Sequence, residues 1–379
     1  MRKTGKREWG RGTKNRCFLF FAAILAAAPF FFFPGCSRSQ KEAPVIAETA
    51  IEQAVENKVL LAALVSVGSV PNSAAGQAVT LEAEAKQTPR IAVIPPSAEP
   101  GAPVTVALAF AMVIDNSEAP KDIRAVLLDS RNRRLTRAAF FKVPDDEEKA
   151  LFAAVFAVPS TALSGSATIR IESGDDLLME LPFTIDMREF QSETVHLNQA
   201  NTDLRTLPDP QKTAESEQLW AILNRTGREI YSGGIFTAPL ISTRRTSDYG
   251  SRRVYQYANG KSDTTIHAGV DYGVPTGTAV TSCASGRVIL ARERIVTGNT
   301  VILEHLPGVY SLYYHMDSIA VSEGGIVPAG ALLGESGSTG LATGPHLHWE
   351  IRVAGENADP DVFLSRPVLD KKDIINKLK

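Results

Sequence analysis

Between Ile91 and Ile185 the chain is a series of short apolar or alternating runs: Ile91–Ile94, Pro103–Phe110, Ile123–Leu128, Ala150–Val158, Ala167–Glu172 and Leu178–Ile185. Pro, Gly, Asn and Asp separate them, and the period of two is clearest in Thr168-Ile-Arg-Ile-Glu172. Runs of this length with this punctuation predict strands, and together they predict an immunoglobulin-like β-sandwich over residues 91–188. The pattern before and after is different. Ile51, Val55 and Val59 recur at helical spacing beside Leu60 and Leu61, which predicts a helix from about Ala47 to Val65 inside an Ala-, Glu- and Ser-rich tether over 36–90. Asp209-Pro210 has the form of an N-cap followed by proline at the first helical position. It opens a helix through Leu219, Trp220, Ile222 and Leu223, so residues 189–235 are expected to be a helical connector. Gly-rich, strand-rich sequence fills 236–366, and Leu369, Ile374, Ile375 and Leu378 predict a terminal helix over 367–379. The fold expected is mainly β.

The first 35 residues carry a different signal. Seven basic residues and one acid, Glu8, lie within residues 1–16, and an uncharged apolar run follows from Cys17 to Phe33. Basic, then apolar, then small is the order of a secretory signal, and Pro29 and Pro34 disfavour a spanning helix. Gly35-Cys36 and the polar residues after it resemble a bacterial lipoprotein signal, with Cys36 as the acylated N-terminus; Phe33 and Pro34 depart from the usual residues there. An exported protein of the periplasm or cell envelope, tethered to the membrane through Cys36, is therefore expected. Cys283 would then be the other remaining cysteine, a buried small hydrophobe, with no disulfide framework. The formal charge is −2, and loss of residues 1–35 makes the mature chain more acidic, which argues against nucleic-acid binding. Composition leaves the oligomeric state open.

Candidate chemistry is concentrated near the end. Of six histidines, four fall in three places: His267-Ala-Gly-Val-Asp271, the run Tyr310-Ser-Leu-Tyr-Tyr-His315, and Thr343-Gly-Pro-His-Leu-His-Trp-Glu350. His346 and His348 are two apart in a strand-like run, so both imidazoles should leave one face. His267 and Asp271 would lie about 13 Å apart on a regular strand, so sharing an ion requires a bend, which Gly269 permits. His305, in Val301-Ile-Leu-Glu-His305, is close enough in pattern to approach such a site. Arg252 and Arg253 read either as cleft lining or as structural ion pairs. Tyr313 reads as packing or as a substrate contact, and Glu350 as an acceptor that orients His348.

As a set, His267-x-x-x-Asp271, Tyr313-Tyr-His315, Gly337-Ser-Thr-Gly340 and Thr343-Gly-Pro-His-Leu-His348 resemble, in order and spacing, the motifs of the lysostaphin-like (LytM-type) zinc endopeptidases that cut peptidoglycan peptides. The resemblance runs from about Phe236 to Leu364 and implies a small antiparallel β-sheet peptidase domain with a cleft across its main sheet. It implies Zn2+ on His267, Asp271 and His348, with His315 and His346 catalytic, and peptidoglycan peptides as substrate. Three protein ligands leave zinc an open position for water. The alternative is a non-hydrolytic wall-binding or amidase-activating protein on the same scaffold.

Overall fold

The computed structural model describes residues 89–110, 122–144 and 150–379. The expected signal, Cys36 and the helix expected near Ala47–Val65 lie outside the described residues. Two sheets form the first part. One has the order β1 (Arg90–Ile94), β3 (Pro103–Phe110), β7 (Ala150–Ala157), β6 (Phe141–Val143). The other has the order β2 (Ser97–Ala98), β9 (Asp176–Ile185), β8 (Gly165–Ser173), β4 (Ile123–Asp129), β5 (Arg134–Ala139). Val104, Val106, Phe152 and Phe156 of the first sheet share a core with Leu127, Ile169, Ile171 and Phe183 of the second.

Strand β7 is buried along its whole length. Phe152, Ala154 and Phe156 enter the core between the two sheets, while Leu151, Ala153, Val155 and Ala157 enter a second core. A strand covered on both faces has no solvent side, which is why Ala150–Ala157 is continuously apolar instead of alternating. That second core also contains Val270, Tyr272, Val301, Tyr313, Leu347, Trp349 and Ile351, so the two-sheet part and the C-terminal part share one apolar interior.

The C-terminal part is built on a ten-stranded sheet. Its main path is β11 (Arg245–Ser247), β14 (Val270–Tyr272), β21 (Leu347–Val353), β18 (Val309–Ile319), β17 (Gly298–Leu306), β16 (Gly286–Arg294), β19 (Ile326–Val327). β15 (Ala279–Thr281), β20 (Leu332–Ser336) and β22 (Glu356–Ala358) extend it. Alternation gives this sheet two unlike faces. Val309, Tyr313, Leu347, Trp349, Ile351 and Val353 enter the shared core, whereas Leu312, Tyr314, His348 and Glu350 leave the opposite face.

Residues 189–235, expected to be a helical connector, also hold a strand. β10 (Ser192–His196) runs parallel to β12 (Arg252–Gln256) with Glu193 opposite Arg253, and β12 pairs antiparallel with β13 (Ser262–Ile266). Thr194 and Val195 are β-branched and suit such an addition, but five residues are too few to declare themselves by period. Helices α1 (Gln199–Thr206) and α2 (Pro210–Leu223) follow. Asp209 caps α2 by accepting from Gln211 N at 2.7 Å, with Pro210 at the first position, as the sequence indicates. Ile222 and Leu223 pack on Leu290, Ile302 and Leu312, so α2 covers part of the second sheet face and the remainder is left for the histidines.

Near the C-terminus come α3 (Pro360–Ser365) and α4 (Lys371–Lys377). Ile374 and Leu378 return to the shared core, and Arg90 donates to the Leu378 carbonyl at 2.8 Å. Among the described residues no helix is long and apolar enough to cross a membrane.

Candidate metal centre

The chain leaves β13 at Ile266, turns through Ala268-Gly269 and enters β14 at Val270. The bend anticipated between His267 and Asp271 is present, but its glycine is needed for a different reason. Gly269 does not have a left-handed backbone; a Cβ there would lie 2.9 Å from Glu350 Cα and closer still to the Trp349 carbonyl oxygen. The close approach of the bend to β21 is what excludes a side chain. Asp271 then pairs directly with His348 in the β14–β21 ladder.

Three donor atoms meet there. His267 Nε2 is 3.1 Å from Asp271 Oδ1 and 3.0 Å from His348 Nδ1, and His348 Nδ1 is 2.8 Å from Asp271 Oδ1. Ligands of a tetrahedral zinc, each about 2.0–2.1 Å from the ion, stand about 3.3 Å apart, so this donor set fits within a few tenths of an ångström. Two imidazoles and a carboxylate are also the right chemistry for a borderline-soft divalent ion.

The surroundings set the protonation of each ligand. His267 Nδ1 lies 2.9 Å from the Asp248 carbonyl, which can only accept, so Nδ1 carries the proton and Nε2 presents a lone pair. His348 Nε2 faces Glu350 Oε2 at 3.4 Å, which leaves Nδ1 for the cluster, and Glu350 is itself paired with Arg352. Glu350 is therefore the acceptor behind His348. Burial opposes charge on Asp271, yet the imidazoles of His267 and His348 against it outweigh that and hold the carboxyl well below its usual range. His348 is also penalised by burial, but Asp271 and Glu350 raise it to about 9. A metal taking this place must displace that proton.

His315 reaches the site by a backbone irregularity. Tyr314 pairs with His348 and its ring stacks on that imidazole, 5.2 Å between centroids and 6° from parallel. Simple alternation would send His315 to the opposite face with Tyr313. Instead His315 adopts φ 61°, where the β17–β18 register shifts between Asn299 and Val301, and its ring ends 4.7 Å from that of His346. Such a conformation is uncommon for a residue other than glycine. His315 Nδ1 donates to the Thr339 carbonyl at 2.8 Å, and His346 Nδ1 to that of Gly344 at 2.8 Å. Burial, with His346 and His348 nearby, depresses His315 to about 3, so the ring is neutral at ordinary pH with Nε2 unprotonated. His346 immediately precedes β21, and its Nε2 is 3.9 Å from Asp271 Oδ1.

Other expectations resolve by position. His305 does not approach the cluster: β17 alternation places it with Val301 and Leu303 on the core face, 2.7 Å from Ser311 Oγ and 2.8 Å from the Ser285 carbonyl. Tyr313 is packing, its hydroxyl accepting from Cys283 N at 3.0 Å, and Tyr314 is the aromatic at the site. Cys283 is buried. Arg252 donates to the Ser160 carbonyl at 2.7 Å, and so ties β12 to the two-sheet part. Arg253 donates to Asp271 Oδ2 at 2.5 Å and pairs with Glu193. The stretch Val254–Ile266 is mostly the β12–β13 hairpin. Helix α1 spans from that hairpin to the turn before His346: Arg205 donates to Tyr257 Oη at 3.0 Å, and Asn201 to the Ala342 carbonyl at 2.9 Å.

Residues 265–360 match the model for Peptidase family M23. All five histidine and aspartate positions of the cluster lie inside that M23 match. The chain is 37% identical over 142 residues to the DD-carboxypeptidase/endopeptidase Mpg of Neisseria meningitidis serogroup B, covering 37% of this chain and 32% of that one. It is 38% identical over 93 residues to the peptidoglycan DD-endopeptidase ShyB of Vibrio cholerae serotype O1, covering 24% and 22%. The matches thus span a third or less of these relatives' length. A crystal structure of a peptidase M23 from Pseudomonas aeruginosa covers 72% of this chain and 95% of its own, at 21% identity and a TM-score of 0.47. Arg253, Glu193 and Ser247, which surround the cluster, fall before residue 265; the sequence offers Arg253 as cleft lining or an ion pair, but nothing local marks Glu193 or Ser247, because their role depends on strand pairings that bring distant segments together.

Proposed function

We propose that the chain is a zinc-dependent endopeptidase that hydrolyses peptide cross-links of bacterial peptidoglycan at DD-peptide bonds, with His267, Asp271 and His348 holding the metal and His315 and His346 acting in catalysis. The observation that carries this reading is the convergence of three donor atoms within 3.1 Å of one another beside two further imidazoles. The M23 relatives, a DD-carboxypeptidase/endopeptidase and a peptidoglycan DD-endopeptidase, supply the substrate class. A zinc ion held by these three side chains supplies Lewis-acid chemistry, acidifying a water and polarising a carbonyl. The protein's own part is orientation and proton handling. With Nδ1 of both His315 and His346 committed to backbone carbonyls, each ring offers only Nε2, as a proton acceptor when neutral and a donor once protonated. Protonated in turn, either ring can donate to the oxyanion that develops on the substrate carbonyl.

In this reading the two sheets over 91–188 are an immunoglobulin-like spacer, and the chain is exported and tethered to the envelope membrane through a lipid on Cys36. The basic and apolar run before Cys36 supports the export.

The test is incubation of the full chain with purified peptidoglycan, with and without a zinc chelator, followed by mass analysis of the muropeptides. Cross-linked species should give way to monomers only when zinc is available. Unchanged muropeptides in both conditions would overturn hydrolysis and favour the wall-binding or amidase-activating alternative.

A further inference from the structure

We propose that Glu193, carried by the connector strand β10, is a positioning residue for two of the three metal ligands, so that metal affinity depends on the docked connector. The inference rests on the reading of His267, Asp271 and His348 as zinc ligands. One carboxylate oxygen, Glu193 Oε1, accepts from two directions. Ser247 Oγ donates to it at 2.7 Å, and Arg253 donates through Nε. Each donor in turn meets a ligand: Ser247 Oγ lies 3.1 Å from His267 Nδ1, and Arg253 Nη2 donates to Asp271 Oδ2 at 2.5 Å. Ser247 and Asp271 are buried, and Arg253 and Glu193 are mostly so.

Both arms bear on the atoms that face the cluster. Because the Ser247 hydrogen is committed to a carboxylate, its oxygen can only accept from the imidazole. This favours the proton on His267 Nδ1 and the lone pair on Nε2. On the other arm, an arginine beside a carboxylate tends to grip both oxygens in a fork. Glu193 holds the Nε edge of Arg253, so the guanidinium reaches Asp271 through one nitrogen and takes Oδ2 alone. Asp271 Oδ1 is thereby left to the two histidines. With Glu193 gone, Arg253 is free to rotate into the two-oxygen grip and compete with the metal for Oδ1. Glu193 is in register with Arg253 because β10 and β12 run parallel, so the arrangement exists only while the connector is paired.

The experiment measures zinc affinity of the metal-free full chain by competition with a chromophoric chelator, for wild type, Glu193→Gln, Glu193→Ala and Ser247→Ala, with His348→Ala as reference. Wild type should bind one zinc and His348→Ala should lose it. Glu193→Ala should bind zinc about tenfold more weakly or worse, and Ser247→Ala should lose part of that. Glu193→Gln keeps an oxygen that accepts from both Ser247 and Arg253, so it should recover most of the affinity. The metal-free melting temperature of Glu193→Ala should stay close to that of wild type, which a purely structural role for Glu193 would not predict. Zinc binding by Glu193→Ala within about twofold of wild type overturns the inference and leaves the zinc-site reading intact. If Glu193→Ala does not fold, Ser247→Ala decides the question, and binding within about twofold of wild type overturns the inference. A wild-type chain that binds no zinc overturns the zinc-site reading itself, and this inference with it.

Discussion

His315 and His346 differ from the three proposed ligands in what their removal should do. Replacing either with Ala should leave one zinc bound while muropeptide release falls by about 10²–10⁴-fold, whereas His348→Ala should lose the metal. Metal content and product analysis on the same preparations separate the two groups, and a fully active His346→Ala protein would sink its catalytic role. All five residues could be picked out from the sequence because rare side chains at family spacing are visible without a fold. Their surroundings could not. The left-handed backbone of His315 turns a strand residue to the wrong side of its own alternation, and no local pattern announces that in Tyr313-Tyr-His315. Tyr313 was the more conspicuous aromatic for the same reason, yet Tyr314 lies against His348.

At the scale of elements, the cluster depends on how closely the bend at Ala268-Gly269 can approach β21. Gly269→Ala places a methyl group against the Trp349 carbonyl and Glu350 Cα, both backbone and neither able to swing aside. The strands must part where Asp271 faces His348. We expect a loss of about 1–3 kcal/mol in urea unfolding together with weaker zinc binding. Gly234→Ala, which would meet nothing within 4 Å, should change stability by less than about 0.5 kcal/mol. Equal behaviour of the two variants would refute the argument. The six runs read as strands between Ile91 and Ile185 correspond to β1, β3, β4, β7, β8 and β9, since each is long enough to show its period or its burial. The strand over 192–196 is not legible in the sequence because it is stabilised by a partner sixty residues away rather than by its own pattern.

For the molecule as a whole, His305 gives a pH dependence that has nothing to do with the metal. Burial pushes this imidazole down to about 4, from an ordinary value of 6.5. Between these values the unfolded chain binds a proton that the folded chain does not. Stability is therefore retained above about pH 6.5 and lost as pH falls toward 4, by on the order of 3 kcal/mol. Urea unfolding of the metal-free chain at about pH 7 and pH 4 should show this loss in wild type, with His305→Asn giving a shallower fall. The same fall in both would clear His305 of the effect.

Strand β7 has a consequence for anyone who would rearrange the protein. Its Leu151, Val155 and Ala157 fill the interior that Trp349 and Leu347 also line. A chimaera carrying only residues 236–366 on a new partner would expose an apolar surface shaped for those side chains, and would self-associate. One that also carries the two-sheet part through to β10 keeps that surface covered. In this chain the peptidase-like region is thus expected to stay dispersed only together with its neighbour, which size-exclusion chromatography of the two chimaeras would show.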